Sequence, residues 1–598
     1  MRQFHHPLPF GAQLLPNGET RFRLWAPDAK RVAVVLGAGE PLELSTAQDG
    51  WFERTAPVGA GTQYRFRIDD EIDVPDPAAR FAPEGLAGPN EIIDPNAFSW
   101  DETEWRGLPW HRAVLYELHV GTFTPEGTYA AIVPRLPELA ALGINMIELL
   151  PLATFPGSRG WGYDGVLPFA PHPAYGRPED LKRLIQAAHA AGIGVVLDVV
   201  YNHFGPEGNY LHRYASPFFT DRYHTPWGAA INFEGEAGRH VRDFFIQNAL
   251  YWLNEYRFDG LRLDAIHAIT DASPTHFVDE LAAAIEAGPA RERQVHLILE
   301  NHDNLAARLR PTGEGRLSKA QWNDDFHHVV HVLLTGEHDG YYASYAQHPQ
   351  EQLARVLAEG FAYQGEPYGE SREPRGERSH ELAVTAFIDF LQNHDQIGNR
   401  AFGDRLATLA SEEQLTAGLA LLLLSPHVPM LFMGEEYGAR QPFLYFCDYE
   451  GELAAAVTNG RRAEFAGFKA FAAEEARERI PDPNSLAAFE RSCLRWEERN
   501  DEPHRARMAI TRELLRIRAE HVVPRIASIE PGTAERKVSG SVVWVRWPVS
   551  DGALELEANL GDRACDRVVH SQNKLLYSTA SAPNDRQLAA WEVRLSIA

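Results

Sequence analysis

Phe258-Asp259-Gly260-Leu261-Arg262-Leu263-Asp264 is a short apolar run that ends in a carboxylate, and Leu297-Ile298-Leu299-Glu300 repeats the pattern. Between them, Ser273-Pro274 followed by Thr275 to Ala287 reads as a helix, with Ser273 as its N-cap and Pro274 at its first position. Strand, helix and strand in so short a span make a βαβ unit with parallel strands. Both strands then point their C-terminal ends, Asp264 and Glu300, at one face, where parallel α/β architectures bind ligands. Two acids on one rim can serve as nucleophile and general acid.

The same rhythm extends in both directions. Strands are predicted near 113–120, 144–151, 193–200, 259–264, 295–300, 318–323, 384–392 and 429–434, with helices at 128–142, 178–191, 237–256, 274–287 and 414–424. The helix 237–256 carries Phe244, Phe245, Ala249, Trp252 and Leu253 on one face. Eight strands with interleaved helices predict an α/β fold, a (β/α)₈ barrel with long inserted loops. A doubly wound open sheet is the alternative, but no Gly-x-Gly-x-x-Gly follows the first strand, which argues against a dinucleotide fold.

Ahead of the barrel, Arg21–Trp25, Val32–Leu36, Gly50–Phe52 and Tyr64–Ile68 alternate in period two between turn residues, predicting an antiparallel β-sandwich. Its exposed aromatics could bind sugar, though such residues are more commonly core. The stretch 69–110, rich in Pro, Asp and Trp, reads as a structured linker, and 440–510 is charged and only partly helical. A helix at 507–520 closes the barrel region. After Pro524, alternation at Ser541–Trp547 and Leu554–Asn559 predicts a small C-terminal β-domain. The expected domains are 1–105, 106–522 and 523–598.

Composition narrows the function. In 598 residues the formal net charge is −26, which disfavours a nucleic-acid partner, and 44 % hydrophobic residues support a large core. Cys447, Cys493 and Cys565 are too few and too scattered for a disulfide framework or a zinc site. Met1 to Pro16 lacks the apolar centre of a signal peptide, and Leu419 to Met433 is broken by Ser425, Pro426, His427 and Pro429 before it could span a membrane. A cytoplasmic enzyme with a neutral substrate and no membrane partner is expected; the sequence sets no oligomeric state.

Four predicted strands end in polar clusters: Asp198-Val-Val-Tyr-Asn202-His203, Arg262-Leu-Asp264 with His267 just beyond, Glu300-Asn-His-Asp, and Gln392-Asn393-His394-Asp395. One such aspartate is commonly a helix cap, but four clusters on one rim are not. In order and content they resemble the four signature regions of the α-amylase superfamily of glycoside hydrolases. The resemblance implies a retaining mechanism at an α-glucosidic bond. Asp264 would be the nucleophile and Glu300 the general acid/base, while Asp395 would grip sugar hydroxyls and stabilise an oxocarbenium-like transition state. It also implies a substrate-binding set of Arg262, His203, His394, Tyr163, Asp198 and His267, in which Tyr163 stacks on the sugar and Asp198, with Asn202, is mainly scaffold. The chemistry requires Glu300 protonated and Asp264 ionised. Arg262 should lower the pKa of Asp264, and crowding by Asp264 and Asp395 should raise that of Glu300.

Some members of the superfamily hold calcium near the position of Asn202. Here the segment from His203 to Ile231 is short and aromatic, with only Glu207 and Asp221 as acids, so no metal and no cofactor are expected. The N-terminal sandwich resembles that of the isoamylase, glycogen-branching and trehalohydrolase group, as does Tyr116-Glu-Leu-His-Val-Gly-Thr-Phe-Thr-Pro-Glu-Gly. Branching enzymes usually show Ser-His-Asp-Glu in the fourth region. Gln392-Asn393-His394-Asp395-Gln396-Ile-Gly-Asn-Arg400, with Phe204-Gly-Pro-Glu-Gly-Asn-Tyr210 and Met433-Gly-Glu-Glu-Tyr437, instead resembles the maltooligosyltrehalose trehalohydrolases. That implies an oligosaccharide substrate, maltooligosyltrehalose, cut at the α-1,4 bond beside its terminal trehalose. A branching or debranching enzyme is the alternative, and a non-catalytic glycan binder would have lost an acid. Asn301, Asp303 and Trp322-Asn323-Asp324-Asp325 are candidates for the trehalose end of the cleft, with ordinary loop hydrogen bonding as the other reading.

Overall fold

The eight expected strands close into a parallel barrel: β1 (Leu115–Leu118), β2 (Met146–Leu149), β3 (Gly194–Val199), β4 (Gly260–Leu263), β5 (Val295–Leu299), β6 (Leu317–Trp322), β7 (Phe387–Phe390) and β8 (Val428–Phe432). They are seen in a computed structural model that describes residues 3–101, 104–225, 228–310, 316–568 and 573–598. β1 pairs with both β2 and β8, which completes the ring.

Because alternate residues of a strand share a face, the interior can be followed in steps of two. Leu115, Met146, Val196, Ile298, Ala320, Ile388, Phe390, Val428 and Met430 form one buried cluster over Trp110, whose Nε1 donates to the Thr385 carbonyl at 2.7 Å. Two residues further along the same faces stand Glu117, Glu148, Asp198 and Arg262, with Glu117 beside Glu148 and Asp198 beside Arg262 in register. The barrel interior thus turns from apolar to charged toward the strands' C-terminal ends. Gly260 lets β4 lie close to β5, since a Cβ there would sit 2.7 Å from the His296 carbonyl oxygen.

The main helices are α1 (Pro178–Ala190), α2 (Gly235–Asn254), α3 (Phe277–Ala287), α4 (Asp324–Thr335) and α5 (Glu412–Leu424). α2 buries Phe244, Phe245, Ala249, Trp252 and Leu253, the face expected from its spacing. α3 corrects the sequence reading, because Ser273 and Pro274 do not start it. The Asp271 carboxylate accepts from the N–H groups of Ser273 (3.0 Å) and Phe277 (2.6 Å) and is ion-paired to Arg242 of α2, while the His276 imidazole caps Val278 N at 3.2 Å. A long-range ion pair therefore outweighs the local Ser-Pro signal.

Two antiparallel sheets form the N-terminal sandwich, one containing Thr20–Trp25 and Trp51–Ala56, the other Val32–Leu36 and Gln63–Ile68. Phe22, Tyr64 and Phe66 are buried in it as core. It docks on the barrel through a buried cluster in which Arg80 Nη1 meets Glu255 Oε2 at 2.6 Å and Lys182 Nζ meets Oε1 at 3.3 Å. The C-terminal sheet is five-stranded and antiparallel, around Val542–Val549 and Gly552–Asn559. The stretch 440–510 resolves into helices Gly451–Glu464, Glu474–Glu478, Leu486–Ser492 and His504–Ile517. It leans on the rim at the C-terminal end of the barrel: Trp161 Nε1 donates to the Leu444 carbonyl at 3.0 Å, and Arg461 Nη2 to that of Gly398 at 2.7 Å. In the aromatic segment after β3, Phe219–Thr225 pairs with Gly228–Ile231, and residues 226–227 lie outside the described residues. Among the described residues no helix is long and apolar enough to cross a membrane.

Candidate active site

Arg262 organises the C-terminal end of the barrel. Its side chain is 0 % exposed and spans three carboxyls: Nη1 reaches Asp198 Oδ2 at 2.7 Å and Asp264 Oδ1 at 2.8 Å, and Nη2 reaches Glu300 Oε2 at 2.9 Å. The guanidinium carbon lies 4.0 Å from the Trp322 ring centroid. One planar cation thus ties the ends of β3, β4 and β5 together. It is completely buried among these acids.

The two acids on this cation are held oppositely. Burial alone would raise Asp264, but Arg262, a hydrogen bond from Asn202 Nδ2 to Oδ2 (2.8 Å) and the nearby His203 hold it below its ordinary value of 3.8. Asn202 Nδ2 also donates to the Asp264 carbonyl at 2.8 Å, and Asn202 pairs with His203 Nδ1. Glu300 is raised well above its ordinary 4.5, by burial first and then by the charges of Asp264, Asp395 and Asp324, against the pull of Arg262. The crowding expected from the sequence is present, but loss of water is the larger cause. Ala265 adds a backbone donor, its N–H meeting Glu300 Oε2 at 2.8 Å. To aim that N–H, Ala265 takes φ +40 in the left-handed region, which costs a non-glycine residue about 1–2 kcal/mol.

Across the cleft, Asp395 is the most open acid of the trio, with 37 % of its side chain exposed against 12 % for Asp264 and 20 % for Glu300. Asn399 Nδ2 donates to its Oδ1 at 3.2 Å, and His394 Nε2 lies 3.5 Å from the same oxygen. His394 is wedged among aromatics: Tyr163 stacks on it at 5.0 Å and Trp161 meets it edge-on at 5.4 Å. The Tyr163 hydroxyl donates to Asp198 Oδ2 at 2.5 Å. Asp198 is 2 % exposed, with both oxygens engaged by Arg262 and Tyr163, which is a scaffold's position below the cleft. His267 is exposed at the rim, where its Nδ1 accepts from His302 N at 3.4 Å.

Sequence reasoning missed two buried acids, Glu117 and Glu148. The signal was available, since each stands two places beyond an apolar interior residue, Leu115 or Met146. Glu117 grips His394, while neither carboxyl oxygen of Glu148 has a hydrogen-bond partner among the described residues.

At the end of β6 the candidates for the leaving-group side separate. Asp325 is fully buried and committed: Tyr345 Oη and Arg375 Nη1 reach Oδ1 at 2.5 and 2.8 Å, and Asn304 Nδ2 and Ala362 N reach Oδ2 at 3.0 and 2.7 Å. Asn323 is likewise tied to Asp389 at 2.8 Å and to the Gly360 carbonyl at 3.1 Å. Trp322 lies under Arg262, and Asn301 is buried. Asp303 is exposed, its N–H held by Asn301 Oδ1 at 3.1 Å. Asp324 takes no side-chain hydrogen bond from the described residues. Burial, then Asp325 and Asp395, push it up to about 7 against Arg375 and Arg262. Among the described residues no group of three or more His, Cys, Asp or Glu side chains is arranged to hold a metal ion.

Three family models match the chain: carbohydrate-binding module 48, the isoamylase N-terminal domain, at 9–97; the alpha amylase catalytic domain at 93–249; and a domain of unknown function, DUF3459, at 531–595. A malto-oligosyltrehalose trehalohydrolase from Deinococcus radiodurans is 44 % identical over 92 % of this chain and 89 % of its own. This chain belongs to the malto-oligosyltrehalose trehalohydrolase family. A second trehalohydrolase, from Saccharolobus solfataricus, is 37 % identical over 92 % of this chain and 94 % of its own. A crystal structure of a provisional alpha amylase from Salmonella typhimurium superposes with a TM-score of 0.94 at 44 % identity, covering 99 % of both chains. The likeness to the trehalohydrolases therefore runs through sandwich, barrel and C-terminal sheet alike.

Proposed function

We propose that this protein is a retaining glycoside hydrolase that cuts the α-1,4-glucosidic bond next to the terminal trehalose of a maltooligosyltrehalose. The products are trehalose and a maltooligosaccharide, and the setting expected from the sequence is cytoplasmic. The observation that carries the chemistry is the single Arg262 guanidinium bonded to Asp264 at 2.8 Å and to Glu300 at 2.9 Å, two acids whose protonation is pushed in opposite directions. The substrate comes with family membership. In this reading the domains are 1–105, 106–522 and 523–598.

Asp264, kept ionised, attacks the anomeric carbon, and a covalent glycosyl-enzyme forms. Glu300 gives its proton to the departing trehalose oxygen. Arg262 Nη2 and Ala265 N both occupy Oε2, which leaves Oε1 to carry that proton. Glu300, now a carboxylate, takes a proton from the water that releases the second product. Asp395 and His394 hold hydroxyls of the reacting sugar, Tyr163 stacks against it, and His203 borders it beside the nucleophile. Arg262 and Asp198 hold the acids in place, and His267, with the half-buried Asp324, faces the leaving group.

Trehalose has no reducing end and bends sharply at its 1,1-linkage, away from the path of a maltose chain. A leaving-group side built for that bend would leave buried polar groups unpaired against a plain maltooligosaccharide, a strong basis for discrimination. Maltotriosyltrehalose should accordingly yield trehalose and maltotriose much faster than maltopentaose is cleaved, as chromatography of matched digests will show. Equal rates on both substrates, or new α-1,6 branches in an amylose incubation, would move the reading to an amylase or a branching enzyme.

A further inference from the structure

We propose that Glu117, at the end of β1, is the positioning residue for His394, gripping its ring Nδ1–H and its backbone N–H together so that an Nε2–H donor faces Asp395 and the sugar held there. The inference rests on the proposed function for the sugar alone; the grip itself is independent of substrate.

Glu117 Oε1 accepts from His394 Nδ1 at 2.5 Å and Oε2 accepts from His394 N at 3.1 Å. Both residues are 1 % exposed, so neither bond competes with water. The contact joins β1 to the segment after β7, and it fixes both the ring and the main chain that leads into Asp395. A carboxylate suits this task because its two oxygens can each take one N–H, whereas an amide offers one acceptor and one donor.

The neighbour in register makes the commitment visible. Glu148 lies beside Glu117 on β2, equally buried, yet neither of its oxygens has a hydrogen-bond partner among the described residues. Burial, then Glu117 and Asp198, push its pKa well above the ordinary 4.5 against the pull of Arg262 and His394, and it makes no hydrogen bond to His394 among the described residues.

Groups on every side of His394 bear on its charge. Glu117 lies on β1, Glu148 on β2, Arg262 on β4 and Asp395 on its own segment; His119 follows β1, and the Tyr163, Trp161 and Trp322 rings pack around it. Burial pulls the imidazole down, and Asp395 and Glu117 outweigh it and Arg262, raising it to about 9. A neutral ring donating Nδ1–H to Glu117 would leave Nε2 bare, able only to accept and repelled by Asp395 at 3.5 Å. The imidazolium donates from both nitrogens.

The test combines kinetics with a titration. Glu117→Gln should lower kcat and kcat/KM together by about 10- to 100-fold, the loss of a charge-assisted hydrogen bond, and Glu117→Asp should restore part of it. If Glu117 acts through His394, the Glu117→Gln/His394→Gln double variant is no slower than His394→Gln alone. Losses that multiply would overturn the proposal. Independently, with ¹³Cε1-histidine labelling and the His394 signal assigned by its absence in His394→Gln, the substrate-free protein should titrate at about 9. In Glu117→Gln that midpoint should fall by at least a unit. A wild-type midpoint at or below the ordinary 6.5 overturns the proposal even if Glu117→Gln does not fold. Because no substrate enters this reading, failure of the trehalose assignment leaves it unaffected.

Discussion

Asp259 and Asp264 bracket the same barrel strand and differ in what their surroundings leave undone. At the N-terminal end, Asp259 is 0 % exposed and accepts from Trp105 Nε1 at 2.7 Å, His189 Nε2 and Val195 N at 2.9 Å, and Arg293 Nη1 at 3.1 Å. At the C-terminal end, Asp264 is held by Arg262 and Asn202 but keeps 12 % of its side chain open to the cleft. Burial would raise both acids, and their partners lower both. The same means serve two ends. A carboxylate whose oxygens are fully occupied contributes to the fold, and one left partly open can attack a sugar.

The largest effect expected from this contrast is on turnover at the open end. Asp264→Asn or Glu300→Gln should lower kcat by about 10⁴- to 10⁶-fold while circular dichroism and melting stay close to wild type. Near-normal turnover in either would remove the proposed roles.

Asp259→Asn should do the reverse. It leaves Arg293 buried without its counter-charge, so unfolding free energy should drop by about 3–5 kcal/mol in denaturant titrations. Turnover per folded molecule should stay within about twofold. An Asp259 variant that is stable but inactive would erase the distinction between the two ends.

Stability as a function of pH sharpens the comparison further. The folded pKa values of Asp259 and Asp264 are depressed, so their stabilisation is present above the ordinary 3.8 and fades as pH falls through the folded values. Glu300 is raised, so its stabilising contribution is complete below the ordinary 4.5 and is lost as pH rises through its folded value. Glu300→Gln should therefore gain stability relative to wild type as pH increases, and Asp259→Asn should lose the steep acid limb. Melting curves from acid to alkaline pH check both signs.

The smallest effect concerns metals. Activity should survive exhaustive chelation, and loss with EDTA that added calcium restores would contradict this.

Much of the barrel was legible because its strands are short apolar runs with acids at one end, a pattern local to each run. The three acids proposed to carry the reaction were picked out for the same reason, together with the family resemblance. Partners distant in sequence were harder to read. The start of α3 depends on Asp271 pairing with Arg242, and Trp161 meets Leu444 only after the chain has closed over the rim. Glu117 and Glu148 were within reach, since extending the period-two reading two places beyond Leu115 and Met146 puts both on the interior face. That Glu117 bonds to His394 and Glu148 finds no partner among the described residues could not be read this way, because it depends on where β7 falls around the ring.

The central claim is that one arginine holds a nucleophile and a proton donor on the same rim, so the reaction proceeds with retention. ¹H NMR of the anomeric signals during the first minutes of maltotriosyltrehalose cleavage tests this directly, before mutarotation mixes the products. The account predicts that maltotriose appears first as its α-anomer, and initial accumulation of the β-anomer would contradict it.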